Sequence, residues 1–305
     1  MNEIEKNLLR EIADLHKTPA GAYNIREDGQ LQGRRSTEHI EIVSKTDKSG
    51  IDIIIKPGTK NESVHIPVII TKTGHSEMVY NDFFIGDDSD VLIVAGCGIH
   101  NSGCDTSQHD GIHTFFVGKN CRVRYVEKHY GEGEGTGERI MNPQTIVHMQ
   151  ENSYMELDMA QIRGVDSTLR STTIDAAENC EVVITERLLT HGDQTAASDV
   201  NINLNGAGAR ARVVSRSVAQ DSSVQTFRPC VTGNAPCFGH VQCDSIIMGS
   251  ARVSSVPAIS ANHVDAQLIH EAAIGRIAGD QLLKLMTLGL SEEEAEEKIL
   301  SGFLK

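Results

Sequence analysis

Short runs of alternating apolar and polar residues fill most of the chain, with turn residues between them. The runs are rich in β-branched side chains, as in IDIII at 51–55, VHIPVII at 64–70 and VLIV at 91–94. A period of two places apolar side chains on one face of a strand. Because no convincing helical pattern interrupts the region from about 41 to 262, the sequence predicts a mainly β body there.

A loose internal repeat indicates how these strands are arranged. A small turn followed by alternating residues begins at Asn120, Asn152 and Asn179, and again around Gly208. The intervals are 32, 27 and about 29 residues. A period near thirty residues fits the coils of a β-solenoid, in which each coil buries its apolar face on the next. An antiparallel β-sandwich, whose strands also recur with turns between them, is the alternative.

Helical periodicity is confined to the two ends. Apolar residues spaced for one helical face predict a helix over 3–16, and residues 22–40 are expected to connect it to the body. Near the other end, DQLLKLMTLG at 280–289 predicts a helix that stops at Gly289, and SEEE at 291–294 matches a capping box that starts a last helix. The predicted division is an N-terminal helical segment at 1–40, a β body at 41–262 and a C-terminal helical segment at 263–305.

Charge and composition limit the kinds of partner. The formal net charge is −14, so phosphate backbones and anionic lipid are repelled, and nucleic acid and membrane are not expected as partners. No stretch approaches 18 apolar residues, and the charged N-terminal sequence does not resemble a secretory signal. We therefore expect a cytoplasmic protein.

The seven cysteines are an odd number, which favours free or metal-binding thiols over a disulfide framework. One group of thiols and imidazoles suits zinc or iron, but its irregular spacing leaves open whether it binds metal or whether Cys97 and Cys121 are core residues. A second group has the composition of a structural zinc site. The first group comprises Cys97, His100, Cys104, His109, His113 and Cys121, and the second Cys230, Cys237, His240 and Cys243.

Nucleotide-binding and hydrolytic motifs are absent from the sequence. There is no Gly-x-x-x-x-Gly-Lys-[Ser/Thr] loop, no Gly-x-Ser-x-Gly elbow and no His-Glu-x-x-His helix. The glycine-rich run GEGEGTG at 131–137 is acidic and is expected to be a mobile loop rather than a phosphate cradle. If the protein takes part in ATP-driven work, a partner must handle the ATP.

Four segments near the C-terminus resemble the core of the SufB/SufD family. They are GHVQCDSII at 239–247, PAI at 257–259, HEA at 270–272 and the stretch 281–295, in the family's order over about 60 residues. The resemblance implies a right-handed parallel β-helix flanked by N-terminal and C-terminal α-helical segments. It also implies a non-enzymatic scaffold for iron–sulfur cluster assembly, acting with a SufC-type ABC ATPase and passing a transient iron–sulfur cluster to acceptor proteins.

The resemblance also assigns candidate cluster ligands. Cys243 matches the SufB cysteine at which a nascent cluster is thought to form, Glu271 matches an acidic ligand candidate, and His270 falls near the histidine of SufD. Because this one chain carries both the SufB-type cysteine and the His270–Glu271 pair, the resemblance implies a homodimer, although pairing with a related subunit stays open. Strand alternation puts Cys243 on the face opposite His240, which argues against a local zinc pair between them.

Two other functions remain open from the sequence. A β-solenoid enzyme acting on carbohydrate would need an aromatic-lined groove, and aromatic residues are only 4% of the chain. A purely structural partner that holds the ATPase and binds no cluster is the second. The extended N-terminal region of longer SufB proteins, with its extra cysteines, has no counterpart here, so no cluster binding is transferred from it.

Overall fold

Two long, mostly parallel sheets wound from one chain form a β-solenoid of about eight turns. The computed structural model describes residues 2–305. The elements are α1 (Glu3–Ala13), β1 (Ala22–Glu27), β2 (Gln30–Arg35), β3 (Ile40–Ser44), β4 (Gly50–Ile55), β5 (Lys60–Ile70), β6 (Ser76–Ile85), β7 (Asp90–His100), β8 (Ser107–Val117), β9 (Arg122–Glu132), β10 (Arg139–Met141), β11 (Gln144–Met149), β12 (Tyr154–Arg163), β13 (Ser167–Ala176), β14 (Glu181–Thr190), β15 (Thr195–Leu204), β16 (Arg210–Ala219), β17 (Val224–Gly233), β18 (Phe238–Ile247), β19 (Arg252–Ser255), β20 (Ala258–Ala261), β21 (Gln267–Gly275), α2 (Gly279–Thr287) and α3 (Glu292–Phe303).

Successive strands of the body alternate between the two sheets. Sheet A has the order β2-β1-β5-β7-β9-β12-β14-β16-β18-β21, and sheet B has the order β19-β17-β15-β13-β10-β8-β6-β4-β3, with β11 beside β8 and β13, and β20 beside β17. Only the first strand pair of each sheet, β1–β2 and β3–β4, is antiparallel. The mainly β, parallel solenoid that the sequence predicted is confirmed, and the β-sandwich alternative is wrong.

The three asparagines that open the sequence repeat lie on neighbouring coils. Nδ2 of Asn152 donates to Oδ1 of Asn120, and Nδ2 of Asn179 donates to Oδ1 of Asn152, both at 3.3 Å. All three have a left-handed backbone, with φ between 54° and 60°. Asparagine tolerates this conformation better than most residues and can bond to the equivalent side chain one coil away. The sequence repeat therefore corresponds to turns that stack on neighbouring coils and are joined by hydrogen bonds between asparagine side chains.

The interior of the solenoid has an apolar half and a polar half. Ile93, Val123 and Leu157 lie in the apolar half, where buried side chains from both sheets pack against one another. The polar half holds buried ionisable and hydrogen-bonding side chains, of which Arg170 and Glu127 form an ion pair. We call this set the polar column: Asn81, His109, His113, Glu127, His129, Gln161, Arg170, Glu186, Ser198, Ser215, Ser217, Gln225 and Ser245.

Helix α1 packs across the outer face of sheet A, where it covers β5, β7 and β9. Its capping box pairs Asn2 with Glu5, and Leu8 and Ile12 are fully buried. Burial of each such side chain contributes about 1.5–3 kcal/mol. Gly96 permits the close approach, because a Cβ there would lie 2.7 Å from the carbonyl oxygen of Ile12. The predicted N-terminal helix is confirmed.

The strands extend beyond the predicted limits of the body. β1 and β2 lie in the segment expected to be a connection, and β21 lies in the segment expected to be helical. These strands bury few side chains, so their sequences lack a clear alternation of apolar residues.

Beyond β21, α2 and α3 contact each other, and Nη1 of Arg216 donates to the carbonyl oxygen of Lys305 at 2.8 Å. No helix within 2–305 is both long and apolar enough to span a membrane.

The glycine-rich segment 131–137 is packed against a neighbouring coil, and the expectation of a mobile loop is wrong. The backbone N–H of Gly135 donates to the carbonyl oxygen of Asn101 at 3.1 Å, and that of Gly137 to Gly103 at 3.0 Å. A Cβ on Gly135 would lie 2.3 Å from the carbonyl oxygen of Gly103. The glycines recur at every second position because the two backbones lie in direct contact.

Candidate functional site

Strand β18 carries Cys243 into the interior at the C-terminal end of the solenoid. Its Cα pairs with Ser215 of β16 on one side and with Ala272 of β21 on the other. The side chain is 1% exposed and contributes to the main core. Cys243 therefore lies one strand from the end of sheet A, next to residues of the polar column.

The surroundings of Cys243 keep its thiol protonated. Burial raises the pKa of the thiol, while the hydroxyl groups of Ser255 and Ser245 act in the opposite direction. The carboxylate of Glu186 raises the pKa further. Because the thiolate is the form that binds metal, iron would have to displace a proton from Cys243.

His270 lies on the same inner face as Cys243. It sits on β21 with its Cα opposite Val241 of β18, two residues before the position that pairs with Cys243. Burial lowers the pKa of His270, and so does the neighbouring His240. Among residues 2–305, the buried Nε2 atom of His270 has no hydrogen-bond partner. A neutral imidazole with an uncommitted nitrogen is suited to bind a metal ion.

Glu271 projects from the opposite face of the same strand. Its Cα pairs with Gln242, its side chain is 63% exposed, and its Oε2 atom lies 3.5 Å from Nε2 of His240. The structure thus brings Cys243 and His270 to the inner face and His240 and Glu271 to the outer face. The alternation that separated His240 from Cys243 in the sequence is confirmed.

No complete metal site forms within one chain. Across residues 2–305, no three His, Cys, Asp or Glu side chains lie close enough to hold a metal ion. The ligand set predicted from Cys243, Glu271 and His270 therefore needs movement of β21 or donors from another molecule. Its assignment as the cluster site stays a prediction.

The second cysteine group does not assemble into a structural zinc site. Cys230 is half-buried on β17, where its Cα pairs with the outer residue Ala258. Cys237 is buried in the apolar half, and a Cβ on Gly233 would lie 2.8 Å from its Sγ. Cys243 and His240 point to opposite faces of β18, so closeness in sequence does not bring these side chains together.

The first group of thiols and imidazoles, which runs from Cys97 to Cys121, is also divided among different parts of the fold. Cys104 is exposed in a turn, whereas Cys121 is buried with its Sγ 3.2 Å from the carbonyl oxygen of Gly86. Cys97, His109 and His113 instead line one small interior cavity. Glu127 and His129 line it as well, and the sequence reasoning missed both. In RVRYVEKHY at 122–130 the strand phase of Val123 and Tyr125 continues to Glu127 and His129, but both phases carry polar residues, so the pattern alone does not mark these two as interior.

Fold and site together define a parallel β-solenoid protein with a buried thiol and an uncommitted imidazole beside the free edge of its last coil. The comparison with protein families agrees with this description. Residues 69–303 match the SufBD core domain of the SUF system for FeS cluster assembly. The chain belongs to this family, and its part in iron–sulfur cluster assembly follows from that membership.

Three archaeal relatives illustrate the match. The chain is 29% identical over 255 residues to an iron-sulfur cluster assembly SufBD family protein of Methanocaldococcus jannaschii, covering 83% of this chain and 79% of the relative. It is 26% identical over 273 residues to one of Archaeoglobus fulgidus, covering 88% and 71%. With one of Methanothermobacter thermautotrophicus the identity is 27% over 237 residues, covering 75% and 55%.

Proposed function

We propose that this protein is a non-enzymatic scaffold on which iron–sulfur clusters are assembled and from which they are transferred to acceptor proteins. The observation that carries the proposal is that Cys243 and His270 lie on the same inner face of the adjacent strands β18 and β21, two residues apart in register. A thiolate binds iron firmly, whereas imidazole or carboxylate ligands exchange more readily. A mixed ligand set therefore suits a cluster that is built and then released.

A homodimer would complete this site. β21 is the last strand of sheet A within 2–305, and its outer edge has unpaired backbone groups. Exposed apolar side chains surround that edge, among them Ile259, Ile269 and Ile274, each at least 41% exposed. Such an edge favours pairing with another strand. A two-fold related copy would add its own His270 and Glu271 close to the first Cys243.

The C-terminal helices are the proposed docking site for a SufC-type ABC ATPase. α2 buries none of its side chains, and Leu283, Met286 and Leu288 are 60%, 38% and 75% exposed. Two helices of 9 and 12 residues are too short to be stable on their own, and an apolar helical face suits docking into a groove. The ATPase would bring the phosphate-binding loop that the sequence lacks.

Anaerobic reconstitution with ferrous iron and sulfide tests the scaffold function directly. The parent protein should develop the visible absorption of an iron–sulfur cluster, and Cys243→Ser should lose it while keeping the fold. Cys180→Ser is the matched control, because Cys180 is also buried but bonds to the carbonyl oxygen of Gln150 in a turn. Equal reconstitution of Cys243→Ser and the parent would refute the assignment. A parent that never binds a cluster would favour the purely structural partner.

A further inference from the structure

A cleft lined by basic residues opens at the N-terminal end of the solenoid, between the β1–β2 hairpin of sheet A and the β3–β4 hairpin of sheet B. Its volume is about 250 Å³. No carboxylate lines it, although the formal net charge of the chain is −14. We call it the basic cleft, after its four cationic lining residues, Arg26, Arg34, Lys45 and Lys48. Cations gathered in so acidic a chain indicate a place for an anion.

Arg34 is held in the basic cleft by neutral partners only. Its Nε atom donates to Oδ1 of Asn24 at 2.8 Å, and its Nη1 atom donates to Oγ of Ser44 at 2.9 Å. Asn24 is 2% exposed, so a buried side chain orients the guanidinium. Within residues 2–305, Arg34 forms no ion pair and its Nη2 atom makes no hydrogen bond. Burial and the charge of Arg26 both lower the pKa of Arg34, so its influential charged neighbour is another cation.

Arg26 brings a second guanidinium to the basic cleft. Its Nη2 atom donates to Oε2 of Glu77 at 2.9 Å, and its Nη1 atom lies 3.5 Å from Oγ of Ser49. Glu77 does not line the cleft, and its other oxygen lies 3.1 Å from Nδ1 of His109. The buried Nε atom of Arg26 has no hydrogen-bond partner within residues 2–305. Arg26 is therefore fixed in place by one carboxylate that it shares, and the β3–β4 turn gives it only a long contact.

The two lysines of the basic cleft differ in their partners. Nζ of Lys45 forms ion pairs with Asp52 and Asp82, so the charge of Lys45 is already compensated. Nζ of Lys48 lies 4.3 Å from the centre of the Tyr80 ring and forms no ion pair. A cation–π contact at an exposed position is weak, and the ammonium group can exchange it for an anion. Lys48 is therefore a second cation of the basic cleft without a carboxylate partner.

We propose that the basic cleft binds one small phosphate-type oxyanion, with Arg34 as its main ligand and Arg26 and Lys48 in support. The planar guanidinium fork matches the oxygen spacing of phosphate. The hydroxyl of Ser44 accepts from Arg34 and keeps its own proton to donate to a phosphate oxygen. Several cations and a hydroxyl donor suit a doubly charged tetrahedral ion better than a carboxylate, which carries one charge.

The negative charge of the whole chain does not prevent this binding. Exposed charges more than about 8 Å away are largely screened at physiological ionic strength, and the lining of the cleft carries cations only. The strands that form the cleft lie at the opposite end of both sheets from β18 and β21. The proposed anion site is therefore separate from Cys243 and does not depend on the scaffold function.

Isothermal titration of the full chain with inorganic phosphate tests the proposal. The parent should bind one ion per chain with a dissociation constant below about 1 mM, and binding should weaken as sodium chloride is raised. Arg34→Gln should weaken binding ~10-fold or more, the loss expected for a charged hydrogen bond. Arg212→Gln is the matched control, because it removes the same charge from an exposed position on β16 and should bind phosphate as the parent does.

Lys48→Met separates loss of the site from loss of the fold. Its ammonium contacts only the Tyr80 ring, so the variant should keep the circular dichroism of the parent and still bind phosphate more weakly. Tighter binding of glycerol 3-phosphate than of inorganic phosphate would assign the ligand to a phosphorylated small molecule, and weaker binding would assign it to the free ion. Unchanged affinity in both Arg34→Gln and Lys48→Met, no saturable binding to the parent, or equally tight binding of acetate would overturn the proposal.

Discussion

Removal of Arg170 should destabilise the protein strongly, because this residue is the cationic partner of two buried carboxylates. Its side chain is 5% exposed, pairs with Glu127, and places Nε 3.7 Å from Oε1 of Glu186. Burial is the largest single influence and raises the pKa of Glu127, but Arg170 together with His129 and His113 outweighs it, lowers the pKa and keeps the carboxyl ionised. Arg170→Met would leave buried charge without a partner, at a cost of about 3–5 kcal/mol in the free energy of unfolding.

A double-mutant cycle measured by urea unfolding checks this reasoning. Glu127→Gln removes the charge but keeps the shape, so the double variant with Arg170→Met should recover part of the loss. The expected coupling between the two positions is at least about 1.5 kcal/mol, above the usual error of additivity. Additive effects, or a cost of Arg170→Met below about 1 kcal/mol, would show that the pair is solvated and that the polar column is not closed.

Three further predictions concern the ends and the interior. Deletion of 278–305 should abolish co-purification with a SufC-type ATPase while circular dichroism shows an intact β body; unchanged co-purification would refute docking through α2 and α3. Ile274→Lys, at the free edge of sheet A, should shift the chain to a monomer in analytical ultracentrifugation, whereas the equally exposed Ile54→Lys on β4 should not; a dimer in both would place the interface elsewhere. Burial lowers the pKa of His129 to about 3, so its neutral form stabilises the fold above pH 6.5 and that stability is lost as the pH falls from 6.5 towards 3. The loss from His129 should reach about 2 kcal/mol by pH 5 in urea unfolding, beside a similar loss from His113, whose pKa burial lowers to about 4. His129→Gln should therefore remove about half of the total loss; an unchanged loss in that variant would assign it to other groups.

Local patterns were sufficient to predict the repeating body and its helices. The spacing of the asparagine turns identified the coils, because each coil needs a residue with a left-handed backbone at the same place, and Asn120, Asn152 and Asn179 supply it. The apolar face of α1 and the capping box at Ser291 were equally visible, since both depend on residues within one or two turns of helix. The alternation along β18 correctly put His240 and Cys243 on opposite faces.

The polar column could not be predicted because its partners are distant in sequence. In the run 122–130 both phases of the strand carry polar residues, so alternation alone does not tell which phase faces inward. Glu127 is tolerated inside only because Arg170 lies against it, 43 residues further along. The ordered glycine segment depends likewise on contact with Asn101 and its neighbours. Edge strands such as β21 bury too little surface to require a clear alternation of apolar and polar residues in the sequence.

Helix α1 also gives the solenoid a direction in which it opens. The stability of stacked coils is close to a sum over neighbours, so coils at an uncovered end fray first. α1 fastens β5, β7 and β9 together, whereas β21 has a neighbouring strand on one side only. We therefore expect local opening to begin at β21, the strand that separates Cys243 from the outside. The buried Cys243 thiol is thus among the easiest of the enclosed thiols for a partner to uncover.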